Sequence, residues 1–301
     1  MTAVVIALPG SEEHATKLAN RLAVELVTPE LRRFPDGEIY VRLPKVADHA
    51  VLCGSLYPAP ADRFLEMAFT AATARDLGAE RVGLVAPYLA FLRQDVQFHP
   101  GEGVTAKYFG QMVSSAVDWL VTVDPHLHRL RELAGVYSIP TTVAHAASSI
   151  AAWVKSEITK PVLVGPDQES EQWVAAVADA CGAPFEILTK TRRGDRDVSV
   201  SESKREWNGH TPVLIDDIVS TARTMIAAIQ QLRAAGVSRA PTCIGVHALF
   251  AGDAYAALQA AGAAAVATCN TVVHASNAID VAPELAVAVR ELLQREVSAP
   301  R

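Results

Sequence analysis

Short runs rich in β-branched residues recur along the chain, and longer amphipathic or alanine-rich segments separate them. The clearest are "AVVIAL", "RVGLVA", "WLVTV", "PVLVG", "TPVLIDD" and "CIGVHALF". Strand-forming runs that alternate with helix-forming ones leave few architectures open, because parallel neighbours need a crossover element between them. The runs are apolar almost without interruption, as strands covered by helices on both faces require. An α/β fold with mainly parallel sheets flanked by helices is therefore expected, with functional groups at the carboxyl ends of strands.

A repeat divides the pattern in two. "VLCGSLYPAPADRFLEMAF" followed by "ARDLGAERVGLVAPY" has the same plan as "VLIDDIVSTARTMIAAI" followed by "LRAAGVSRAPTCIGVHALF". In each, a strand leads to a loop, a helix, a glycine stop at Gly78 or Gly236, and another strand. At 301 residues, half of them hydrophobic, the chain has room for two similar domains, each with its own core. The expected division is 1–148 and 149–301. Chance likeness between two α/β units is the alternative to duplication. Only the second copy carries adjacent acids, so the halves should do different work.

Charge and cysteine use narrow the function classes. A net charge of −6 leaves no footprint for polymeric nucleic acid, although a local basic patch could hold a phosphorylated small molecule. Cys53, Cys181, Cys243 and Cys269 lie far apart, which argues against a zinc site and for a reducing compartment. No stretch reaches the ~18 apolar residues of a membrane span, and the opening "MTAVVIALPG" lacks a basic start. A cytoplasmic location with no membrane partner is the expectation.

The stretch "VLIDDIVSTARTM" concentrates the chemistry. Asp216 and Asp217 fall where a central strand emerges, and Thr221 to Thr224 fall where the next helix begins. Free N–H groups and the positive end of the helix dipole favour a phosphate there, and Ser220, Thr221 and Thr224 add hydroxyl donors. Two carboxylates would repel that phosphate unless they face something else, such as sugar hydroxyls or a magnesium ion with its waters. An ordinary helix cap with both acids solvated fits the same residues.

This stretch resembles the ribose-phosphate fingerprint shared by type I phosphoribosyltransferases and ribose-phosphate pyrophosphokinases. The remaining motifs separate the two. "RRFPDGEIYVRLP", "APYLAFLRQDVQFHPGEGVTAKYFG", "VTVDPHLH", "VGPDQES", "TKTRRGDRDV" and "TCNTVVHASNAI" each look like pyrophosphokinase motifs, in that family's order, over residues 30 to 280. The resemblance implies two type I phosphoribosyltransferase-like domains. It also implies magnesium-dependent transfer of the terminal diphosphate of ATP to the anomeric hydroxyl of ribose 5-phosphate, giving phosphoribosyl pyrophosphate and AMP.

The site residues follow from the same resemblance. Lys190 and Arg192 match the basic pair of a catalytic loop, where cations suit charge that builds on the transferred diphosphate, and Gly194 fits a loop that closes on substrate. His126 and Asp167 match metal-site residues. Phe34, Asp36, Gly37 and Glu38 match one side of an adenine pocket, reaching from a neighbouring subunit, and Arg93, Gln94 and Asp95 match the other side. Asp216, Asp217, Ser220, Thr221, Ala222, Arg223 and Thr224 match the ribose 5-phosphate site. A pocket shared between subunits implies a homodimer or larger homo-oligomer. His128, His145 and His247 read as structural.

Four positions depart from the family pattern. Arg223 stands where a glycine is usual, Glu169 and Ser170 stand where paired glycines are usual, and Pro125 precedes His126. Glycine permits positive φ and close approach to a phosphate, whereas an arginine could narrow the pocket or bind the phosphate. These departures leave open a non-catalytic regulatory member of the family, and the shared fingerprint leaves open a phosphoribosyltransferase that consumes phosphoribosyl pyrophosphate.

Overall fold

The computed structural model describes residues 2–127, 129–130, 132–188, 190–193, 197–200 and 209–298, with 190–193, 197–200 and 295–298 described by their backbone. The elements along the first half are β1 (Ala3–Ala7), α1 (Glu12–Leu22), β2 (Glu25–Val27), β3 (Glu30–Arg33), β4 (Ile39–Arg42), β5 (His49–Cys53), α2 (Pro60–Asp76), β6 (Arg81–Ala86), α3 (Thr105–Ala116), β7 (Trp119–Val123) and β8 (Thr141–Ala144). There follow α4 (Ala147–Glu157), β9 (Pro161–Gly165), α5 (Glu171–Cys181), β10 (Phe185–Ile187), β11 (Lys190–Arg193), β12 (Asp197–Val200), β13 (Thr211–Val219), α6 (Arg223–Ala234), β14 (Thr242–Ala248), α7 (Ala254–Ala260), β15 (Ala265–Cys269), β16 (Asn277–Ile279) and α8 (Ala282–Ser298).

Each half builds a parallel six-stranded sheet. The first runs β2-β1-β5-β6-β7-β8 and the second β10-β9-β13-β14-β15-β16. The two orders are the same once β1 is matched to β9 and β5 to β13, so the repeat seen in the sequence is a repeat of topology. An antiparallel pair, β3–β4 in one half and β11–β12 in the other, sits at the same place in the chain order. Gly78 and Gly236 follow α2 and α6 with φ of 102° and 79°, the left-handed stop that a residue without a Cβ takes at little cost.

Strand periodicity sorts the core of the first unit. Val4, Ile6, Ala50, Leu52, Val82 and Leu84 face one way and pack with Met67, Ala71 and Phe109 of α2 and α3. The intervening Val5, Val51, Val85 and Val121 are equally buried and so belong to the opposite face, where α8 packs on α1, β7 and β8. In the second unit, Val162, Val164, Leu214 and Cys243 pack with Met225, Ile229 and Leu232 of α6 and with Leu258 of α7. Continuous apolar strands thus arise because both faces are covered, and each fully buried Val or Leu contributes about 1.5–3 kcal/mol.

The compact units are Met1–His145 with Val281–Arg301, and Ala146–Asp280. The division expected at 148/149 places the last helix with the second half, whereas α8 packs in the first unit and α4, which follows the first sheet, packs on α5 in the second. The helix after each sheet is therefore exchanged. Periodicity told that α8 has an apolar face, with Leu285, Val289 and Leu292 buried, but an apolar face does not name the sheet that covers it.

Candidate active site

In the second unit β13 is a central strand that outruns its neighbour. Its pairing with β9 ends at Leu214 opposite Val164, while its pairing with β14 continues through Asp216 opposite Gly245 and Ile218 opposite His247. Asp216 and Asp217 therefore stand on a strand edge that β9 has left. The exit loop of β9 turns at Asp167, whose Oδ1 accepts from the backbone N–H of Glu169 at 3.2 Å and of Ser170 at 3.3 Å. Ser170 is buried, and its hydroxyl donates to the Asp167 carbonyl at 2.6 Å. This turn packs against β13.

The result is a cluster of like charge. Burial first, then the carboxylates of Asp217 and Asp167, push the Asp216 carboxyl up to about 8. Carboxylates so disposed favour a proton, a hydroxyl donor or a cation between them. Their oxygen donors fit magnesium. Among the described residues no three His, Cys, Asp or Glu side chains converge tightly enough to hold a metal alone, so an ion here would be completed by water and substrate oxygens, as magnesium commonly is.

Behind the acids, the chain turns from β13 into α6 through Ser220, Thr221 and Ala222. The exit of β14 fixes this turn, since Leu249 N–H donates to the Val219 carbonyl at 3.0 Å and Ala251 N–H to the Ser220 carbonyl at 3.1 Å. Ala222 takes φ 57° and ψ 4° and brings no side-chain cap. Its carbonyl accepts from Ile226 N–H at 2.9 Å, which starts the helix, and the first N–H groups of α6 face the strand end without intrahelical partners. Arg223, read as a departure because glycine serves positive φ, is the first helical residue and exposed. The left-handed position is Ala222, so the arginine carries no backbone strain.

Lys190 and Arg192 lie on β11, opposite Val200 and Val198 of β12; their side chains, and Gly194, lie outside the described residues. Glu169 is exposed at the Asp167 turn.

The remaining predicted residues belong to the first unit. Phe34 to Glu38 form the exposed tip of the β3–β4 hairpin. Phe34 N–H donates to the Glu38 carbonyl at 2.8 Å, and the Asp36 carboxylate accepts from Glu38 N–H at 3.1 Å. Gly37 takes φ 94°. The Phe34 ring meets Tyr40 edge-on at 6.1 Å, and the Arg32 guanidinium lies over both rings. Arg33 ties the hairpin to α2 through Asp62 at 3.1 Å and Glu66 at 3.6 Å.

Arg93 is exposed and Gln94 half-buried in the loop before α3, and the Gln94 carbonyl accepts from Ala106 N–H at 3.2 Å. Asp95 differs from both, being buried and bonded to Arg129. His126 lies half-buried in the loop after β7, just beyond buried Pro125 and Asp124, whose φ is 30°. His247 is buried, its Nδ1 2.9 Å from the Thr271 hydroxyl, which itself donates to the Val246 carbonyl. That pairing is structural, as expected.

The comparisons with known proteins cover the chain almost end to end. Residues 3–116 match the model of the N-terminal domain of ribose phosphate pyrophosphokinase, and residues 136–284 match the phosphoribosyl transferase domain. A ribose-phosphate pyrophosphokinase of Methanopyrus kandleri is 32% identical over 292 residues, which is 96% of this chain and 99% of that protein. The chain belongs to the ribose-phosphate pyrophosphokinase family. A family member from Halobacterium salinarum is also 32% identical, over 93% of this chain and 98% of its own length. The crystal structure of phosphoribosylpyrophosphate synthetase from Mycobacterium smegmatis shares the fold, with a TM-score of 0.81 at 23% identity over 98% of this chain and 100% of that one.

Asp124 and Arg129, which anchor the loop after β7, are not among the residues the family motifs single out. Arg129 is one charged residue in a charged loop, and no pattern marks it out. Asp124 stands inside "VTVDPHLH", but its partner is His145, 21 residues further along the chain, so no local spacing marks it.

Proposed function

We propose that the chain makes phosphoribosyl pyrophosphate. The anomeric hydroxyl oxygen of ribose 5-phosphate attacks the β-phosphorus of ATP, the bond from that phosphorus to the α,β-bridging oxygen breaks, AMP leaves with that oxygen, and the hydroxyl proton is lost. The observation that carries this reading is the juxtaposition of three carboxylates with a helix N-terminus at one strand end. It sits in a chain 32% identical to a ribose-phosphate pyrophosphokinase over nearly its whole length.

Each part has a physical task. The first turn of α6, with Ser220, Thr221 and Thr224, offers N–H and hydroxyl donors to the 5-phosphate. Asp216 and Asp217 accept from the ribose hydroxyls, which donate and so relieve the repulsion between the acids. Asp167 in the second unit is assigned to magnesium, which when bound would neutralise charge on the diphosphate, and His126 in the first unit is assigned separately as a metal-site residue. Lys190 and Arg192 add cations to charge that develops in transfer, a role of positioning and electrostatics more than covalent help. Phe34 to Glu38 and Arg93 to Gln94 are assigned to ATP. The exposed hairpin tip supports a pocket completed by a neighbouring subunit, which makes a homodimer the smallest working unit.

Four cysteines without disulfides are in keeping with a reducing cytoplasm, and no helix among the described residues is long and apolar enough to cross a membrane. The deciding experiment incubates the purified chain with ATP, ribose 5-phosphate and magnesium. AMP and phosphoribosyl pyrophosphate in equal amounts are expected, and Lys190→Ala should lower turnover by about 100-fold or more with an unchanged circular dichroism spectrum. A folded wild-type chain that binds ATP and yields neither product would favour the regulatory reading.

A further inference from the structure

Two loops of the first unit are tied at one point. Asp95 leaves the loop before α3 with a side chain only 2% exposed. Its Oδ2 accepts from the backbone N–H of Arg129 at 3.2 Å, and its Oδ1 accepts from the Arg129 guanidinium at 3.2 Å. Arg129 also lies over the ring of Phe98, 5.1 Å from its centroid, so it touches the Asp95 loop twice. A carboxylate withdrawn from water is costly unless donors and opposite charge meet it. Arg129 supplies both.

The segment that Arg129 belongs to begins at Asp124, where a second anchor holds it. Asp124 is buried, and its Oδ1 lies 2.8 Å from Nδ1 of His145 at the end of β8. His126 is thus carried on a short segment fastened near both ends, and one of the fastenings is Asp95. Arg93 and Gln94 stand immediately before Asp95. A side chain so buried, with both oxygens engaged, has little surface left for a nucleotide.

We propose that Asp95 is a positioning residue rather than an ATP contact: with Arg129 it locks the segment bearing Arg93 and Gln94 to the segment bearing His126, so both are preset together. This assignment rests on the reaction inferred above for what those segments bind. The lock itself is a property of the ligand-free chain. Its loss should loosen both segments at once, including the one that is not mutated.

Hydrogen exchange of the ligand-free chain provides the first arm, using wild type, Arg129→Met, Asp95→Asn and the milder Arg129→Lys, each checked by circular dichroism. Arg129→Met should speed exchange across 93–98 and 124–130 by about 10-fold or more, with β5 and β6 unchanged. Arg129→Lys, which keeps the cation and the backbone N–H, should recover part of the protection. In steady-state assays Arg129→Met should raise the KM for ATP several-fold. The Asp95→Asn, Arg129→Met double variant should be no worse than the poorer single one, since residues acting as a pair are not additive.

Wild-type exchange over 93–98 in Arg129→Met would overturn the lock. A raised KM in Asp95→Asn beside an unchanged KM in Arg129→Met would make Asp95 a direct contact and overturn the assignment. Should the wild-type chain form no AMP, the reaction reading fails instead, and the exchange data still decide whether the segments are locked.

Discussion

Asp124 and His145 form an ion pair in which one partner is buried and the other mostly exposed, with 2.8 Å between Oδ1 and Nδ1. The hydrogen bond to Asp124, more than its charge, raises the His145 pKa above the ordinary 6.5. A raised histidine pKa stabilises the fold fully below the unfolded value and loses that contribution as pH rises through the folded value. NMR titration should place His145 above 6.5 in the wild type, with a fall toward 6.5 in Asp124→Asn. An unshifted imidazole in the wild type would dissolve the pair.

A second raised group lies at the end of β13. Asp216 is raised from 3.8 to about 8, so between those values the folded chain binds a proton that the unfolded chain does not. Its contribution is then fully present below 3.8 and lost as pH climbs toward about 8. Asp216→Asn, which stays neutral, should grow more stable relative to wild type as pH rises from 4 to 8 in metal-free buffer. A gap in denaturation midpoint that stays constant with pH would mean that Asp216 ionises like an exposed acid.

The exchanged helix makes a separate prediction. Leu285 of α8 is fully buried in the first unit, so Leu285→Ala should cost about 2–5 kcal/mol. Hydrogen exchange should show the loss in the sheet of β1, β5, β6 and β7 before that of β9, β13 and β14. Loss confined to the second sheet would contradict the assignment of α8.

Arg223 tests how the phosphate turn tolerates its side chain. As the first helical residue it needs no left-handed backbone, and Arg223→Ala removes the charge without changing helix propensity unfavourably. If the guanidinium meets the 5-phosphate, KM for ribose 5-phosphate should rise about 10-fold while KM for ATP changes little. Equal or lower constants for both substrates would leave Arg223 a solvated residue.

Much of the site was legible because its parts are local. Asp216 and Asp217, the hydroxyl run and the start of α6 occupy one continuous stretch, and strand-to-helix turns of that kind have a sequence signature. The tip of the β3–β4 hairpin was legible for the same reason, since Pro35, Asp36 and Gly37 are turn residues. Asp95 read as a ligand contact in a motif, yet whether its carboxylate meets a nucleotide or Arg129 depends on a loop thirty-four residues away.

By itself the sequence determined the alternation of strand and helix, the duplication and the strand end that carries the acids. Those follow from periodicity and from apolar runs, which are properties of neighbouring residues. The tertiary structure alone decided the partner of Asp95, the third carboxylate beside Asp216, and the exchange of α4 and α8 between the units. Each of these sets residues far apart in the chain against one another, and the charge, burial and packing that result exist only once both sides are folded.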